Sequence, residues 1–75
     1  MKNIFNSKRD VIAYVERIGK DLWVSRLSRH GDFVNLGRAF QKDELERIIE
    51  WASTQTARPS WDDWKKFVRS LKPRS

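Results

Sequence analysis

Gly31-Asp32 is the strongest local constraint in this 75-residue chain. Glycine at the first central position of a two-residue loop is what a type II′ turn requires. The stretches on either side, Asp21 to His30 and Phe33 to Phe40, both mix apolar and polar residues. A hairpin closed there pairs His30 with Phe33 and, seven rungs on, Trp23 with Phe40. Cross-strand partners share a face, so the turn alone divides the residues into two sets. One set is Trp23, Ser25, Leu27, Arg29, Val34, Leu36, Arg38 and Phe40, mostly apolar, with arginines able to snorkel from its edge. The other is Val24, Arg26, Ser28, His30, Phe33, Asn35, Gly37 and Ala39, small and polar. The sequence thus predicts a hairpin over 21–40 with a core face and a solvent face.

The flanking segments supply helices. Leu45, Ile48, Ile49 and Ala52 recur at i, i+3, i+4 and i+7, with Asp43, Glu44 and Glu46 near the start, where the helix dipole favours acids. This predicts a helix over 42–53. Residues 54–60 are polar and reach Pro59, which reads as a loop. Ser60 with Asp63 resembles a capping box, and Trp61, Trp64, Phe67, Val68 and Leu71 form one apolar side of a C-terminal helix over 60–72, stopped by Pro73. Residues 1–6 read as a lead-in. Residues 7–19 are a helix or a first strand. The spacing of Val11, Ile12, Tyr14, Val15 and Ile18 favours the helix, with Ser7 and Asp10 at its start and Gly19 at its end, whereas their β-branched and aromatic character suits a strand.

These elements make one α+β domain: a small antiparallel β-hairpin or three-stranded sheet packed against an amphipathic helix, with an additional C-terminal helix. A chain this short buries about 60% of its unfolded surface. Its four Trp, four Phe and one Tyr therefore carry much of the core. With no cysteine, disulfides and thiolate zinc sites are excluded. No apolar run has the roughly 20 residues of a membrane span, so no membrane association is expected and the expected location is the cytoplasm.

Nothing in the sequence singles out a catalytic site. His30 is the lone histidine and sits at the turn, where a surface role is the commoner one. No serine lies in a nucleophile-elbow context, no glycine-rich phosphate loop is present, and the acids of 43–50 read as a solvated helix face. No catalytic residue, metal or cofactor is expected.

Charge points instead to binding. Sixteen Lys and Arg against ten Asp and Glu give +6. The excess lies at the two ends, since residues 1–20 and 61–75 carry +3 each while residues 41–60 carry −1. Basic ends draw a polyanion and release its counterions, although excess charge also serves solubility alone. Arg26, Ser28, His30 and Asn35, with Arg38 nearby, form a candidate base-reading face, because Arg and Asn match guanine and adenine edges. An ordinary solvent face of a sheet has a similar composition. Lys65, Lys66, Arg69, Lys72 and Arg74 form a candidate phosphate-contacting helix, or simply a cationic last turn that suits the dipole. Duplex DNA is the favoured partner, and a regulatory or accessory role the expected function. The alternative is a small protein-binding adaptor or inhibitor of a larger complex, anchored by exposed tryptophans.

The stretch Asp21–Ala52, with Trp23 early in a strand, a turn at Gly31, the strand end Val34-Asn35-Leu36-Gly37 and an acidic amphipathic helix after it, resembles the three-stranded-sheet-plus-helix DNA-binding domains of tyrosine integrases and of plant ethylene-response factors. The resemblance implies a sheet face lying in the major groove, with Arg26 and Asn35 at the bases and residues 12–18 as the first strand.

Overall fold

The computed structural model describes residues 2–71. It is an α+β fold of four strands followed by two helices: β1 (Lys2–Phe5), β2 (Val11–Ile18), β3 (Asp21–Leu27), β4 (Phe33–Phe40), α1 (Lys42–Ser53) and α2 (Trp61–Ser70). The strands form one antiparallel sheet in chain order, β1-β2-β3-β4. The sheet is thus larger than the hairpin or three strands expected, because both the lead-in and the segment 7–19 contribute to it.

The segment 7–19 is strand, not helix, and its misleading periodicity has a cause. Ile4 pairs with Ala13 but Phe5 pairs with Val11, so Ile12 is an extra residue in β2. Such a bulge breaks the alternation. Ile12 and Ala13 are both fully buried, with Val15 nearly so, and the result looks like a helical arc in one dimension. Ser7 and Asp10 do not cap a helix. Asn6, itself buried, organises the β1–β2 turn, its Oδ1 accepting from the backbone N–H of Lys8 (3.0 Å) and of Asp10 (2.8 Å).

The tight two-residue turn lies one hairpin earlier than expected. Ile18 pairs with Asp21 around Gly19-Lys20, and only the first of these two residues has a positive φ, 63°, the pattern of a type II′ turn. The β3–β4 connection is longer. Leu27 pairs with Phe33, leaving residues 28–32 as the loop. Ser28 closes it: its hydroxyl accepts from the N–H of His30 and of Asp32, each at 3.2 Å, and its own N–H donates to the Asp32 carbonyl at 2.7 Å.

That loop overturns the expected register. Phe40 pairs with Leu22, not Trp23, and Asn35 pairs with Ser25, not Ser28. A one-residue offset sends every β3 side chain to the other face. Leu22, Val24 and Arg26 lie on the helix side, and Trp23, Ser25 and Leu27 on the open side. Gly37, at φ 93°, accommodates the irregularity in β4, and its N–H donates to Asn35 Oδ1 at 2.7 Å. Arg26 and Asn35 therefore occupy opposite faces of the sheet.

Both helices cover one face. Ile4, Ile12, Ala13, Val15, Val24 and Phe40 from the sheet meet Ile48 and Ala52 from α1, Trp64 from α2 and Leu71 just beyond it, all buried. Trp51 of α1 meets Trp64 edge-on at 4.8 Å and stacks on Phe67 at 4.4 Å. These aromatic pairs lock α2 to α1. Ser60 accepts from Asp63 N–H while Asp63 accepts from Ser60 N–H, both at 3.2 Å, so the capping box expected at α2 is formed.

Candidate functional site

The capping box fixes where α2 begins and hence which residues share its exposed stripe. Trp61, Lys65 and Arg69 are spaced by four and line one side of the helix. Trp64, one turn position away, is fully buried, whereas Trp61 keeps 38% of its surface exposed. Arg26 reaches Trp61 from β3, its guanidinium carbon 4.6 Å from the ring centroid. Lys65 Nζ lies 5.8 Å from the same centroid. The Nε of Arg26 is buried and has no hydrogen-bond partner among the described residues.

Trp61 separates two depressions. On one side is a cleft of about 620 Å³ between the β3–β4 loop and the start of α2, lined by Arg26, Ser28, Arg29, His30, Arg58, Pro59, Ser60 and Trp61 and by one acid, Asp62. On the other is a shallower groove of about 240 Å³ along α2, walled by Leu36, Trp61, Trp64, Lys65, Val68 and Arg69. Arg58 also holds the cleft together, because its Nη1 donates to the Ser28 carbonyl at 2.9 Å. Among the described residues, the ion pairs within 4.0 Å are Arg38–Glu44 and Lys65–Asp62. Arg26, Arg29 and Arg58 thus face the cleft without a carboxylate partner, which leaves their charge available to an anion.

Sequence reasoning placed Arg26, Ser28, His30 and Asn35 together, and the structure separates them. Arg26, Ser28 and His30 meet in the cleft, but Ser28 is buried and committed to its loop. Asn35 lies on the open face. Arg38 is also committed: Nη2 sits 2.8 Å from Glu44 Oε2, Nη1 donates to the Ala39 carbonyl at 2.9 Å, and the guanidinium lies 4.1 Å over Phe40. It ties β4 to α1. The Arg38 hydrogen bond is the main cause that holds the Glu44 carboxyl below its ordinary value, against the opposing effect of burial. Lys65 and Arg69 lie on the stripe. Lys66 lies on another side of α2, with Trp51, Gln55, Asp63 and Phe67. Lys72 and Arg74 fall outside the described residues.

Two lining residues escape the sequence reading, Arg29 and Arg58; Trp61, which it places on the apolar side of the C-terminal helix, is the tryptophan left partly exposed. The register expected from the Gly31-Asp32 turn puts Arg29 on the core face, and the five-residue loop removes it from the strand. The spacing 61/65/69 was available in the sequence, but nothing in one dimension brings Arg58 to the β3–β4 loop.

The open face of the sheet is chemically different. Tyr14, Ser25 and Asn35 form one row, Glu16, Trp23 and Ala39 the next, and Leu27 pairs with Phe33 beyond them. Tyr14 meets Phe33 edge-on at 4.7 Å. Neither helix packs on these side chains, and the charged members of the paired positions here are Glu16 and Asp21. Among the described residues, no three acidic or histidine side chains converge as metal ligands, and no helix is long and apolar enough to cross a membrane. Comparison of the chain with protein-family models, with curated proteins and with solved structures returned no match.

Proposed function

We propose that this protein binds nucleic acid, in a regulatory or accessory role, through the Arg26–Trp61 cleft and the Lys65–Arg69 stripe of α2. The observation that carries this reading is the set of three arginines, Arg26, Arg29 and Arg58, gathered around a half-exposed tryptophan, with no carboxylate within 4.0 Å of them among the described residues. Cations of this kind neutralise phosphates, and an exposed aromatic ring between them offers a base a stacking surface. The surface differs from the polar hairpin face inferred from the sequence, because Arg26 and Asn35 do not share a face.

Fluorescence anisotropy with labelled mixed-sequence oligonucleotides across a salt series tests the reading. Saturable binding that weakens linearly in log salt is expected. Absence of binding to any oligonucleotide at low salt would overturn it.

A second reading, a protein-binding adaptor, draws on the open sheet face. Tyr14, Trp23, Leu27 and Phe33 present an aromatic and aliphatic surface bordered by Glu16, of the kind that anchors protein interfaces. Under this reading Trp23→Asp abolishes complex formation in cells and leaves nucleic-acid affinity unchanged.

A further inference from the structure

Resting on the nucleic-acid reading above, we infer that the cleft takes an unpaired nucleotide of a single strand, its base stacked on Trp61 and its phosphates on Arg26, Arg29 and Arg58. Shape is the first reason. Reading a duplex through its grooves requires an element that protrudes into a channel about 12 Å wide. Arg26, Arg29 and Arg58 instead line a recess between α2 and the β3–β4 loop, and Trp61 forms the wall between that recess and the α2 groove. Base edges held inside a double helix do not enter such a recess. A single nucleotide enters it, and about 620 Å³ accommodates one with its flanking phosphate.

The second reason is the exposed ring. An aromatic surface gains little from a paired base, whose faces are already covered by its neighbours, and much from an unstacked one. The third is the unused donor. Arg26 packs its guanidinium on Trp61 and leaves Nε with no acceptor among the described residues. That Nε is buried, so a phosphate oxygen entering beside the ring would accept from the outer Nη groups of the same guanidinium, and Arg29 and Arg58 supply the balancing charge. Trp61 thereby reads whether a base is free, and the arginines read only the backbone. The second basic cleft, lined by Arg17, Lys20, Asp21, Lys42 and Phe40 among others, has similar volume. Its aromatic residue, Phe40, is buried in the core, so it offers phosphates a surface but a base none.

The experiment compares labelled dT12, rU12 and a blunt-ended 12-base-pair duplex, each titrated with wild-type protein, Trp61→Ala, Trp61→Phe and Arg29→Ala, with circular dichroism as the check on folding. Wild type is expected to bind at least one of the two single strands about tenfold or more tighter than the duplex, and the DNA and RNA arms tell which sugar is accepted. Trp61→Ala should weaken single-strand binding about tenfold, with an unchanged salt slope because no charge is removed, and Trp61→Phe should retain most of the affinity. Arg29→Ala should instead flatten the slope by about 0.7. Duplex binding equal to or tighter than single-strand binding, or a Trp61→Ala protein that is folded and binds single strands as wild type does, would overturn the inference while leaving the nucleic-acid reading standing. Failure of all three oligonucleotides to bind at low salt would instead remove the reading on which it rests.

Discussion

Arg26 and Arg38 are one residue type on adjacent strands, yet their surroundings give them opposite roles. Arg38 is bound to Glu44 and to the Ala39 carbonyl, whereas Arg26 stacks on Trp61 with a donor to spare. The sequence marks both as candidate base readers, since residue type reports chemistry and not partners. Glu44 also accepts from the backbone N–H of Gln41 at 2.9 Å, so its carboxylate serves the start of α1 as well as Arg38. Glu44→Gln should cost about 1–2 kcal/mol in urea unfolding, between the values for exposed and for buried pairs. Because the folded state holds this carboxyl below its ordinary value near 4.5, the pair's stabilisation is complete above that pH. It is lost as pH falls from there through the depressed folded value. The wild-type advantage over Glu44→Gln should therefore shrink on acidification below about 4.5, and an advantage independent of pH would contradict the ion pair. On the stripe, Lys65→Ala should weaken binding to all sequences alike and reduce the salt slope by roughly one, read by anisotropy.

At the scale of elements, helices were more legible than strands. The apolar spacing of α1 and the cap of α2 are local signals, and a helix keeps its hydrogen bonds within itself. A strand's register depends on a partner, and here two bulges and one side-chain turn decide it. The extra residue Ile12 disguised β2, and the Ser28 hydroxyl lengthened a loop whose Gly31-Asp32 pair favours a shorter one. On β4, Val34, Leu36 and Phe40 lie on the helix side as the alternation predicts, whereas the offset inverts all of β3. The site suffered with it: the stripe of α2 could be read from spacing, but the cleft exists only because β3 turns Arg26 toward Trp61. Gly37 makes the β4 irregularity possible. A Cβ there would meet no atom within 4 Å, so the cost of Gly37→Ala is purely that of a φ of 93°. A loss of about 1 kcal/mol is expected, or roughly 4–8 °C in Tm by thermal melting. A variant as stable as wild type would show that β4 relaxes to another register.

For the whole molecule, the cationic site and the aromatic surface lie on opposite faces of the sheet, with the exposed acids Asp43, Glu46 and Glu50 of α1 also on the helix side. The helix side carries the cationic cleft and stripe, and the open side of the sheet carries aromatic residues with Glu16 and Asp21. A small domain that covers one sheet face depends heavily on the few side chains that do the covering. Trp64, fully buried and in contact with Trp51, is the largest of them. Trp64→Ala should remove about 3–5 kcal/mol, a large part of what a domain this size possesses, and leave the chain mostly unfolded by circular dichroism.

The strand order β1-β2-β3-β4 has a consequence in time. Each strand pairs with the one synthesised just before it, so the sheet needs few distant contacts and can assemble quickly as the nascent chain lengthens. Its inner face stays wet until α1 and α2 follow. Between those moments Ile4, Ile12, Val24 and Phe40 stand uncovered, and the docking of α1 and α2 determines whether the sheet is sealed or aggregates.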